Sequence, residues 1–123
     1  MRPPDQDLPH RRPVWIALSD LYLDNELSLN DFEHLAEQLA VSPYSAEELR
    51  YILLVEVHPV CAGNLRQVAG VWSAFDPDWL EENILRRQRS WLRRLGRFTP
   101  FAKQISTTAA SLFARVAELR HSA

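Results

Sequence analysis

Apolar side chains recur along almost the whole chain at spacings of three and four residues, and this period limits the fold more than any other feature. The clearest case is the C-terminal segment, where Phe101, Ile105, Ala109, Leu112, Phe113, Val116 and Leu119 form one stripe at helical spacing. Earlier segments repeat the pattern with Val14, Trp15, Leu18, Leu21 and Tyr22, and then with Phe32, Leu35, Ala36 and Leu39. No clean alternating run bounded by turn residues is present, so strand signals are absent. The expected architecture is all-α: a single-domain bundle of five or six helices.

The prolines and caps divide this pattern. Residues 1–12 are polar and proline-rich and read as a mobile arm ahead of one domain over 13–123. Pro13 suits the first turn of helix one, and Asp24-Asn25 ends it. Asn30 is the expected N-cap of helix two. Ser45 and Glu48 have capping-box spacing ahead of Leu49, Ile52, Leu53 and Val57. His58-Pro59 should break or kink that helix, since a residue preceding proline avoids the helical region. A further face carries Cys61, Leu65, Val68, Ala69 and Trp72. Asp76-Pro77 starts a fifth helix, expected to run to about Leu95 with Gly96 as its left-handed terminator. Thr99-Pro100 then restarts the chain. So short a connection makes the fifth and sixth helices antiparallel neighbours.

Several function classes fall away on composition. Only three glycines are present, none spaced for a phosphate-cradling loop, so Walker and dinucleotide-binding readings are excluded. No apolar run is long enough to span a bilayer, and no apolar stretch follows the N-terminal arginines as a signal peptide requires. The lone Cys61 has no internal disulfide partner. These features together favour the reducing cytoplasm. No cofactor is implied.

Charge is strongly segregated. Residues 1–85 carry a balance of −10 and residues 86–123 a balance of +8, which gives the net −2 of the whole chain. On the helix expected over 78–95, Arg86, Arg89 and Arg93 share a narrow arc. Such a face can serve a partner, or Glu82 can neutralise part of it by pairing with Arg86 one turn on. A nucleic-acid site is disfavoured, because the chain is mildly acidic overall and shows no recognition-helix signature. On the acidic side, Asp20, Asp24, Glu26, Asp31, Glu33 and Glu37 are candidates for one patch.

Catalytic and metal readings are weaker. His58 and Cys61 lie three apart, but zinc needs three or four ligands and no second motif supplies them. A nucleophilic pair would also need an orienting group and an oxyanion site. A buried cysteine beside a helix kink is the simpler reading. The carboxylates Asp76, Asp78, Glu81 and Glu82 cluster where the dipole of a helix start favours them. Three of the four tryptophans, Trp72, Trp79 and Trp91, flank the 72–79 loop. They read as core with each indole N–H on a backbone carbonyl, or else as interface anchors.

One resemblance is visible. Arg12-Pro13-Val14-Trp15, Leu18-Ser19-Asp20-Leu21-Tyr22-Leu23-Asp24, Glu56-Val57-His58-Pro59-Val60, Asn64-Leu65, Ala69-Gly70-Val71-Trp72 and Phe75-Asp76-Pro77-Asp78-Trp79-Leu80 are similar to an uncharacterised family of small bacterial all-helical proteins. The resemblance covers about residues 12–85. It implies a bacterial origin and a free-standing domain of unknown function, and no site residues. The functional expectation is a cytoplasmic protein-interaction module, most concretely a toxin-neutralising immunity protein or a similar stoichiometric inhibitor. The alternative is a nucleic-acid-associated regulator using the arginine face, and an enzyme is not expected.

Overall fold

Helix α1 spans Leu8–Ser19 and begins five residues earlier than Pro13 suggests. Pro9 sits in the first turn, where its missing N–H leaves nothing unsatisfied, and the Asp7 carbonyl accepts from the Arg11 N–H at 2.8 Å. Pro13 therefore lies inside the helix and forgoes one bond. The expected mobile arm is corrected with it. Pro4–Gln6 forms a 3-10 turn with Pro4 buried, and Arg11 is 1% exposed. In the computed structural model, residues 1–22, 28–64, 76–89 and 103–122 are described.

Helix α2, Leu29–Ala40, is capped by Ser28, whose Oγ accepts from the Asp31 N–H at 3.0 Å; Asn30 is inside the helix and is not the cap. Helix α3, Ala46–Tyr51, has the full capping box between Ser45 and Glu48. The chain then departs from expectation at Pro59. Instead of breaking, the helix widens into a π segment, Ile52–Val57, and continues as α4, His58–Asn64. His58 keeps helical angles, φ −55° and ψ −49°, and its N–H bonds the Leu53 carbonyl five residues back. The wider turn makes room for the proline ring, which would otherwise press on the carbonyl four residues earlier.

Helix α5 is Pro77–Gln88, started by the Asp76 carboxylate accepting from the Asp78 N–H at 3.0 Å. Arg89 is its C-cap, so the helix ends short of Leu95; residues 90–102, and Gly96 among them, lie outside the described residues. Helix α6 is Lys103–Ser122.

The helices enclose one core. Trp15, Leu18, Leu39, Leu49, Ile52, Leu53, Leu80, Ile84 and Leu112 are all at most 1% exposed. Among the described residues α6 packs chiefly on α2, and α5 packs on α1, the π segment and α4. The expected pairing of α5 with α6 is not a principal contact among the described residues, which on the α5 side end at 89. One reason for the packing of α6 on α2 is Arg120, whose guanidinium donates to the carbonyls of Leu39, Ala40, Ser42 and Tyr44 at 2.6–3.2 Å. A cation on α6 thus caps the C-terminus of α2 and the turn after it. The chain is a single all-α domain with no strand among the described residues.

Candidate functional site

The most concentrated chemistry in the molecule lies where α1 meets the π segment. Glu56 is 1% exposed, and its carboxylate accepts from Arg11 Nε at 3.0 Å, Arg11 Nη2 at 2.8 Å and Trp15 Nε1 at 2.8 Å. Three charge-assisted bonds hold a charge that would be very costly to bury alone. Arg11 Nη1 donates further to the Arg2 carbonyl at 2.9 Å and to Asp7 Oδ2 at 3.0 Å. The Tyr44 hydroxyl also donates to Asp7 Oδ2, and the Arg11 guanidinium lies 5.5 Å from the centre of the Tyr44 ring. Burial works to raise the Asp7 carboxyl, but bonds from Tyr44, His10 and Arg11 outweigh it and hold it below its usual value. Burial likewise opposes the charge on Arg11, and Glu56 overcomes it and raises Arg11.

Arg11 and Glu56 of this cluster line a cavity of about 480 Å³. Its rim carries Arg2, Asp5 and Arg89, and Tyr51 and Leu85 are among its walls. None of the cluster was singled out as a site by its sequence pattern. Arg11 and Glu56 stand 45 positions apart, and only the folded chain joins them.

The expected acidic patch divides. Glu33 is bound by Arg115 of α6, with Oε1 at 2.6 Å from Nη2, and that bond holds the Glu33 carboxyl below its usual value. Glu37 is exposed. Asp20, half-buried at the end of α1, has its carboxyl raised first by burial and then by the charge of Asp31. Asp20 thus feels the charge of Asp31, and Glu33 belongs to an internal pair; Asp24 and Glu26 lie outside the described residues. On α5, Arg86 pairs with Glu82 at 2.9 Å, while the exposed Arg89 donates from Nε to the Leu85 carbonyl at 3.2 Å. Arg93 lies outside the described residues. Asp78 and Glu81 face Arg12 of α1 at 2.6 and 3.6 Å, so the start of α5 is tied to α1.

The chain belongs to the family described as Domain of unknown function (DUF7079). The family's model matches residues 9–119, well beyond the 12–85 expected, and so takes in the arginine-rich segment and α6. Neither a curated protein nor a solved structure matches the chain.

The residues that carried the resemblance now have structural roles. Trp15 gives its indole N–H to a carboxylate and not to a backbone carbonyl. His58 is buried, with Nδ1 at 2.7 Å from the Tyr22 hydroxyl and its ring 5.6 Å from that of Tyr22. Burial raises the Cys61 thiol well above its usual value, which disfavours the thiolate a nucleophile or metal ligand needs. No group of three or more His, Cys, Asp or Glu able to hold a metal occurs among the described residues. Trp79 is half-buried against the core, while Trp72 and Trp91 lie outside the described residues. No helix among the described residues is long and apolar enough to cross a membrane.

Proposed function

We propose that this chain is a protein-interaction module that acts by one-to-one occlusion of a partner, in the manner of a toxin-neutralising immunity protein or another stoichiometric inhibitor. It works in the reducing cytoplasm and performs no catalysis of its own. The observation that supports this reading is the like-charge pair Asp20–Asp31. Glu33, Glu82 and Asp78 each have an arginine, whereas no cation among the described residues answers Asp20 and Asp31. A basic side chain on a partner relieves such repulsion and gains steering from the surrounding negative field. Leu29, at the start of the same helix as Asp31, is 89% exposed and supplies apolar contact beside the charges.

The pairing of Arg86 with Glu82 weakens the alternative, a nucleic-acid regulator, because it removes one of the three arginines from the available face. The test uses the full chain as tagged bait in its native cells, with native mass spectrometry of what is retained. A single protein at one-to-one stoichiometry, lost when Asp20→Lys and Asp31→Lys are combined, is the expected result. Sub-micromolar, salt-steep nucleic-acid binding that disappears in the Arg86→Ala, Arg89→Ala, Arg93→Ala variant would instead establish the alternative.

A further inference from the structure

The cavity lined by the Arg11–Glu56 pair is built for a ligand. At about 480 Å³ it falls within the range of small-molecule sites, and it combines apolar walls with convergent polar groups. A guanidinium has five N–H donors, and Arg11 spends four of them: Nε and one Nη2 hydrogen on Glu56, and both Nη1 hydrogens on Arg2 and Asp7. The Tyr44 hydroxyl is a further hydrogen-bond partner of Arg11, whose side chain lines the cavity and is 1% exposed. Arg11 and Glu56 largely neutralise each other, so the positive charge offered to a ligand rests on the rim.

The rim adds two further cations. The Arg2 side chain has no hydrogen-bond or ion-pair partner among the described residues. Among the described residues Arg89 uses only Nε. Asp5 is the one carboxylate among the described rim residues, it is exposed, and it opposes an anion only through solvent-screened charge. Tyr51 and Leu85 present apolar surface between these groups.

We propose that this cavity binds a small organic anion, with a carboxylate or phosphate group held by Arg2 and Arg89 and an apolar body against Tyr51 and Leu85. The site is separate from the Asp20–Asp31 surface, so either assignment can fail without the other. Calorimetric titration of the full chain at low ionic strength, with phenyl phosphate and separately with benzoate, tests it. Saturable one-to-one binding of at least one probe is expected, and the tighter of the two identifies the anionic group. Arg2→Ala and Arg89→Ala should each weaken binding about tenfold, as loss of a charge-assisted bond does. Asp5→Asn should tighten it. Both arginines are exposed, so unchanged circular dichroism is expected and confirms that the fold persists. Absence of saturation at millimolar probe, or affinity unchanged in the double arginine variant, overturns the site. Inorganic phosphate binding as tightly as phenyl phosphate overturns the apolar part of the assignment.

Discussion

Two arginine–glutamate pairs in this molecule have nearly the same bond length and opposite surroundings. Arg11 Nη2 and Glu56 Oε2 are 2.8 Å apart with both side chains 1% exposed, whereas Arg86 Nη2 and Glu82 Oε1 are 2.9 Å apart with side chains 70% and 65% exposed. The exposed pair was readable from the sequence, since the partners are one helical turn apart. The buried pair was not, since its partners lie on different elements. The pair that local spacing reveals is the one water screens, and the pair it hides carries the larger energetic consequence.

The comparison can be broken most directly at Arg11. Arg11→Ala leaves Glu56 buried without its cation, and the expected loss is about 3–5 kcal/mol in urea denaturation. A loss under about 1 kcal/mol would mean that water reaches Glu56 and that the two environments are not distinct. Next in size is Arg120→Ala, which strips donors from four carbonyls at the end of α2. A cost of about 2 kcal/mol is expected, with partial recovery in Arg120→Lys, whose ammonium cannot span the same set of acceptors.

A smaller effect, with a definite sign, belongs to Asp20. Its carboxyl is raised in the folded state, first by burial and then by Asp31. The folded chain therefore holds that proton to higher pH than the unfolded chain does. Stability from this group falls as pH rises from the unfolded carboxylate value through the raised folded one. Asp7 and Glu33 have lowered carboxyls and act oppositely, contributing above the unfolded value and losing that contribution as pH falls through their folded ones. Asp20→Asn should thus stabilise the protein near neutral pH in a series of urea midpoints. An Asn variant no more stable than the parent at pH 7 contradicts the like-charge reading. Last comes Arg86→Ala, for which about 0.5 kcal/mol or less is expected. A larger loss would show that the exposed pair belongs to a wider network.

What the sequence disclosed was local. The Ser45–Glu48 box, the Asp76 cap with Pro77, the buried stripe of α2 and that of α6 from Ala109 to Leu119 all depend on residues within a turn or two, and all are present; Phe101 and the Ile105 side chain lie outside the described residues. Prolines misled wherever they were taken only as boundaries. Pro13 lies within α1, because the first turn was already founded on Asp7 and Pro9; Pro59 lies within a continuous helix, because the π segment accommodates it. The Arg120 cap and the Arg115–Glu33 pair join residues 76 to 82 positions apart, and no spacing rule reaches that far. Segregated charge in the linear chain likewise says little about the surface, since Arg115 and Arg120 are partly spent on α2 and its turn.

The π segment also constrains how the length of this chain can vary. A wide turn amounts to one residue more than a regular helix needs over the same rise. Deleting a single residue within 52–57 would restore ordinary winding and leave everything downstream close to its present rotation relative to α3. His58 would still face Tyr22 and Cys61 the core, but the Pro59 ring would then press on the carbonyl four residues earlier. A deletion elsewhere in this rod has no such slack and turns the downstream face by about 100°.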